Sequence, residues 1–430
     1  MAQQQTRTSI FDINLRARTV GLVSLAVLAT LLAFAPTAQA QTYQVLHNFI
    51  GGADETNSQS GLTIDQSGHL YGTTIGQEQC IAGCGTVYQL SHQGSGWILS
   101  TIYAFRGGQD GSYPVNAVTL ASDGSLYGTT SAGGVIGGCF GSGCGTVYHL
   151  QPPAAFCHNV TCPWDETVLY RFQGCPDLSS PNQAAFDQAG NIFGATYEGG
   201  FGCPLYFGDG GIFKLSPSQG GWSYQFAYHF MGELTGCNPL GDVVVDQSEN
   251  IYGTTYMCGL HGEGAVYQVS PLGSGWREQV LHHFGQTKTD GAEPFAGMIS
   301  DTAGNLYGTT AYGGSNGSGT VFELSPANGG YTYSVLYNFS GGVGSTSRLS
   351  MDSAGNLYGV QYGGGANNQG MVFKLTSESG GWTLTDLHDF DGSGGSYPIG
   401  QVALDANGIV YGTTNQGGAY GNGVVWEITP

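Results

Sequence analysis

The sequence predicts an all-β protein, a seven-bladed β-propeller of four-stranded blades. Three observations predict it. One short core recurs seven times, each recurrence sits in a unit with room for four strands, and the chain opens on a strand that its last unit lacks. Composition agrees. The 75 glycines disfavour helices, since each costs about 1 kcal/mol relative to alanine in a helix interior. The 25 tyrosines and 20 phenylalanines suit short strands joined by tight turns.

The first 40 residues read as a signal peptide. Arg7, Arg16 and Arg18 precede an apolar stretch from Val20 to Ala35, and Ala38-Gln39-Ala40 supplies a small-x-small cleavage pattern. The run is short for a bilayer span of about 20 apolar residues. Residues 41–430 then form one seven-repeat domain, with no second apolar run and no membrane span expected. The protein is expected to be secreted or periplasmic.

The recurring core is Leu306-Tyr307-Gly308-Thr309-Thr310 in its clearest copy. Its glycine falls at Gly72, Gly128, Gly194, Gly253, Gly308, Gly359 and Gly412, which is the spacing of a repeat array with variable loops. A short apolar strand and an Asp-containing turn precede each core. A Gly-rich loop, a Thr-Val-Phe-like strand and a Trp-led strand follow it. After the leader, the chain begins with a copy of the fourth strand, Tyr43 to Phe49, and it ends on a copy of the third, Val424 to Ile428. The first strand can therefore complete the last blade and remove a sheet edge.

Two columns of polar residues run through the repeats. Asp65, Asp187, Asp246, Asp301, Asp352 and Asp405 close the first strand, and are read as turn-forming residues rather than a calcium ladder. His47, Tyr103, Tyr170, Tyr228, His282, Tyr337 and His388 lie two residues before the last Phe of the fourth strand. Equivalent positions on seven blades cannot converge on one ion, so this column is read as packing with its polar tips exposed.

Ten cysteines behind an export signal point to disulfides. Cys80 with Cys84, Cys139 with Cys144, and Cys157 with Cys162 are local pairs. Cys175 with Cys203 and Cys237 with Cys258 occupy matching loops of consecutive units. The rival for short Cys spacings is zinc. The Gly-rich loops carry no His at finger spacing, so no metal and no cofactor is expected.

With the repeats aligned, the chain resembles the GloVer tandem-repeat family of exported bacterial proteins. The resemblance rests on Asp301, Gly304, Asn305, Leu306, Tyr307, Gly308, Thr309, Thr310, Gly313 and Gly314, followed by Gly319, Thr320, Val321, Phe322 and Leu324. Such relatives often carry varied C-terminal anchors. This sequence stops at Pro430 without one, which implies release or periplasmic retention. The resemblance implies no established activity.

Function is less legible. The net charge is −20, and −22 once the leader's three Arg and one Asp are subtracted, with seven Lys or Arg left of ten. Such a chain repels nucleic acid and has no basic stripe for it. The first expectation is a non-catalytic binding module for a glycan or a cell-surface protein. Trp97, Trp164, Trp222, Trp276 and Trp382 open the fourth strands, with Tyr331 in the same column, and could stack on sugars. The competing use of that column is blade-to-blade packing. The second expectation is a metal-dependent lactonase- or lyase-like enzyme. Its ligands would come from the innermost strands, at positions two and four residues before the Asp column. Those positions include Gln183, Asp242, Arg348 and Gln401, with one carboxylate and no histidine. A structural role in a surface layer or matrix is the third.

Overall fold

The computed structural model describes residues 41–429 except 52–57, 77–83, 95, 136–138, 154–163 and 201–207. Within Thr42–Thr429 seven four-stranded antiparallel blades form a ring, and no α-helix occurs among the described residues. The chain is a seven-bladed β-propeller. Blade 5 shows the pattern: an inner strand Ile299–Ser300, a second strand Leu306–Thr310, a third Thr320–Ala327 and an outer Gly330–Asn338, each paired with the next.

Blade 7 closes the ring as expected. Its first three strands are Ser396–Leu404, Val410–Gln416 and Val424–Thr429. Its outer strand is Thr42–Asn48, in register from Thr42 opposite Thr429 to Asn48 opposite Val424. Blade 7 is then joined to blade 1. Thr413 Oγ1 donates to the Ser60 carbonyl at 2.9 Å, and the Leu62 amide donates to the Gln401 carbonyl at 3.1 Å.

Each residue of the repeated core has a separate physical task. Leu306 is buried at the seam between blades 4 and 5. The Tyr307 hydroxyl donates to Asp301 at 3.2 Å. Gly308 leaves room for the Phe322 ring, whose Cζ would stand 2.4 Å from any Cβ added there. Thr309 Oγ1 donates to the Ser347 carbonyl of blade 6, and Thr310 Oγ1 meets Thr320 Oγ1 of the third strand at 2.9 Å. The motif therefore fixes a turn, a close ring approach, an inter-blade tie and an intra-blade tie in five residues.

The Asp column does what turn chemistry predicts. Asp301 Oδ1 accepts the amides of Ala303 and Asn305, both at 2.9 Å, while Oδ2 accepts Asn305 Nδ2 at 2.7 Å. Asp65, Asp187, Asp246, Asp352 and Asp405 repeat the two amide contacts. The carboxylates are spent on their own turns.

Seven apolar clusters lie one in each seam, so the core is distributed around the ring. The Phe ending each outer strand is its plug. Phe284 of blade 4 packs edge-on against Phe322 of blade 5, with centroids 5.3 Å apart, and Phe322 in turn covers Gly308. The same stack of Phe, third-strand ring and glycine recurs from Phe49–Tyr88–Gly72 to Phe390–Trp426–Gly412. Burying such a phenyl ring contributes about 1.5–3 kcal/mol.

The outer strands carry a β-bulge opposite the start of the third strand in every blade. In blade 5, Val321 faces Tyr337 but the next residue, Phe322, faces Val335. An extra residue reverses the alternation of side chains. The His and Tyr column thus points away from the face that carries the residues four positions earlier. Its polar tips are not simply exposed, which corrects the expectation. Tyr103 donates to Asp110 at 3.2 Å, Tyr170 to Asp177 at 2.8 Å, and His282 Nε2 lies 3.1 Å from Asp290.

Candidate functional site

Each inner strand runs from the face bearing the long loops to the face bearing the Asp turns. Seven inner strands therefore wall an axial channel. Its backbones pack too closely for ordinary side chains at several points. A Cβ on Gly61 would lie 2.4 Å from the Gln401 amide nitrogen, and one on Gly297 would lie 2.5 Å from the Asp242 carbonyl. Hydroxyls tie neighbouring strands together, as Thr119 Oγ1 does to the Ala184 carbonyl at 2.7 Å.

The channel holds two cavities. One, of about 340 Å³, opens toward the loop face and is lined by residues such as Asn116, Asp242 and Phe295. The other, of about 760 Å³, lies toward the turn face beside Thr63, Phe186 and Met351. Gln183, Arg348 and Gln401 line both and form a polar collar between them.

Arg348 spans three blades at this collar. It starts on blade 6, donates from Nε to the Met298 carbonyl of blade 5 at 3.2 Å, and reaches Asp242 of blade 4 at 3.3 Å. The Arg348 and Asp242 side chains retain 25% and 13% exposure, so the pair still meets the cavity. Burial pushes the Asp242 carboxyl above the usual carboxylate range, and the Arg348 charge opposes that shift. Phe295 stands at the same mouth, its ring 4.6 Å from that of Tyr256.

The inner-strand positions singled out from sequence thus include all four collar and ion-pair residues. Sequence reasoning passed over their pairing because it searched for several carboxylates and histidines. The available signal was simpler: Asp242 and Arg348 are the two charged residues among those positions. Among the described residues no group of three His, Cys, Asp or Glu is placed to hold a metal ion.

The tryptophan column lies elsewhere. Trp97 meets Tyr411 edge-on at 6.1 Å, Trp164 meets Tyr71 at 6.3 Å, and Trp222 meets Tyr127 at 6.4 Å. Trp276 meets Phe193 at 6.2 Å, and Trp382 meets Tyr307 at 6.3 Å. Each partner belongs to the second strand of the preceding blade. The five indoles are half-buried wedges in five separate seams, and the fold does not bring them together.

Two expected disulfides are formed, Cys139–Cys144 and Cys237–Cys258. Cys175 is also disulfide-bonded. Its expected partner Cys203 lies outside the described residues, as do Cys80, Cys157 and Cys162.

The repeat whose residues build the seams and the channel also decides kinship. The family model of the Gloeobacter/Verrucomicrobia repeat matches residues 142–351 and 333–430. The chain belongs to the Gloeobacter/Verrucomicrobia repeat family. No curated protein matches it. Among solved structures, this Gloeobacter/Verrucomicrobia repeat protein is similar to a fungal alcohol oxidase of the AA5 family in complex with copper, at 14% identity and a TM-score of 0.52, over 91% of this chain and 77% of that one. It is also similar to the extracellular domain of a one-component system from B. thetaiotaomicron, at 11% identity and a TM-score of 0.52, over 89% of this chain and 40% of that one. A Bacteroides uniformis protein described as a 6-phosphogluconolactonase matches at 12% identity and a TM-score of 0.49, over 77% and 84%. At these identities the likeness is one of fold.

Proposed function

We propose that this protein is an extracytoplasmic, non-catalytic binding propeller whose ligand docks at the loop-face mouth of the axial channel, with carbohydrate as the leading ligand class. The observation that carries this reading is the Asp242–Arg348 pair. A buried ion pair adds little net stability, because desolvation offsets its Coulomb energy. Here the pair faces a cavity of about 340 Å³, within the span of about 300–1,000 Å³ typical of small-ligand sites. A ligand can use polar groups that already face the cavity.

The location part of the proposal has separate support. Disulfides persist in oxidising compartments, and two are fully described here. Among the described residues no helix is long and apolar enough to cross a membrane.

The test is thermal unfolding against a panel of glycans, since a ligand that binds only the folded state raises the midpoint. The expected result is a glycan-dependent rise in Tm that Arg348→Gln abolishes. A rise of equal size in Arg348→Gln would remove the channel mouth as the site.

A further inference from the structure

The collar limits what the mouth can hold. The loop-face cavity reaches down to Gln183, Arg348 and Gln401, which also line the larger cavity beyond. A ligand entering along the axis therefore meets a polar floor.

Charge limits the ligand further. Asp242 and Arg348 are opposite charges within 3.3 Å, so the mouth offers no net charge to an ionic ligand. An anion at Arg348 also approaches Asp242, in a chain of net charge −20. A cation at Asp242 meets the guanidinium. A neutral ligand with adjacent hydroxyls suffers neither penalty. Hydroxyls both donate and accept, and so can address a carboxylate, a guanidinium edge and carboxamides together. The Phe295 ring supplies an apolar wall, against which the C–H face of a sugar packs.

Resting on the mouth-binding reading above, we infer that the site takes the end of a neutral saccharide, one or two sugar units inserted along the propeller axis, with Gln183, Gln401 and the Asp242–Arg348 pair as its polar floor. Uronates and amino sugars are discriminated against by the paired charge. A polymer of the same sugar binds through its chain ends.

The test is calorimetric titration of the full exported chain with maltose, cellobiose and lactose, beside glucuronate, glucosamine and a zwitterionic amino acid. At least one neutral disaccharide is expected to bind, and glucuronate and glucosamine at least tenfold more weakly. Gln183→Ala and Gln401→Ala are each expected to weaken that binding at least fivefold while leaving Tm unchanged. Binding by none of the neutral disaccharides overturns the inference, as does equal or tighter binding of a charged sugar. If the zwitterion binds instead and Arg348→Gln abolishes it, the saccharide class is wrong while the mouth remains the site. If a disaccharide binds unaffected by the collar variants but is lost in Trp276→Ala, both readings fall.

Discussion

Tyr170 of blade 2 stacks on Tyr224 of blade 3, with ring centroids 3.9 Å apart and planes 6° from parallel. Both phenols donate to one carboxylate, Asp177, at 2.8 and 2.6 Å. The two tyrosines stand two and six residues before the last Phe of their own outer strands. In a regular strand those positions share a face. The bulge between them sends one forward and one backward, so consecutive blades clasp each other. His282 on Tyr333 and His388 on Tyr43 repeat the clasp, each with centroids 3.7 Å apart.

Removing the shared acceptor should loosen that seam. Asp177→Ala leaves two phenol donors without their charge-assisted bonds and is expected to cost about 2 kcal/mol. Tyr224→Phe, which removes one bond and keeps the stack, should cost less than half as much. Urea denaturation of the two variants checks the order.

The glycine of the repeated core answers to sterics. Gly308→Ala puts a methyl 2.4 Å from Phe322 Cζ and 3.1 Å from Met298 Cγ. Overpacking of this kind costs about 1–3 kcal/mol. The double variant with Phe322→Leu should recover part of the loss relative to the sum of the single changes. A double-mutant cycle from chemical denaturation measures that coupling, and strict additivity would show that the ring is not the obstacle.

Two seams hold a glutamate at the position where the three clasps above have tyrosine. Glu166 stands beside Tyr103, Asp110, Arg171 and Tyr148, and Glu278 beside Tyr228 and Tyr267. Burial pushes both up to about 7, with Asp110 adding to the rise at Glu166. A carboxyl with a raised folded pKa binds more protons in the native state than in the unfolded one. Its contribution is therefore most favourable below about 4.5 and is lost as pH climbs through about 7. The slope of stability against pH between 5 and 8 should be less negative in Glu166→Gln/Glu278→Gln than in the native sequence. Parallel slopes would show that neither group titrates in that window.

The two described disulfides close loops of different size. Cys237–Cys258 spans 21 positions and Cys139–Cys144 spans 5. On loop-closure entropy the longer is worth about 3 kcal/mol and the shorter about 2. Cys237→Ser/Cys258→Ser should therefore lower Tm more than Cys139→Ser/Cys144→Ser, as followed by circular dichroism.

Much of the fold was legible because the repeat presents each local rule six or seven times. The Asp turn follows from one residue and its neighbours. Ring closure was legible from order alone, since Tyr43 to Phe49 copies the strand that follows Val424 to Ile428 elsewhere. The tryptophans were less legible. An indole at a strand start looks the same whether it meets a sugar or the ring of another blade, and only the position of Tyr411 beside Trp97 separates the two.

The sequence by itself determined the architecture and the number of blades, because these follow from a pattern repeated along the chain. The task of each residue in the Leu-Tyr-Gly-Thr-Thr core emerged only from contacts with the third strand and the next blade. The tertiary structure decided the facing of the His and Tyr column and the meeting of Arg348 with Asp242. The first depends on a bulge that exists only in the register of two paired strands. The second joins residues 106 positions apart, across an intervening blade, and no local rule reaches that far. Ring closure sets how near those inner strands come, and that proximity turns two isolated charges into the floor of a cavity.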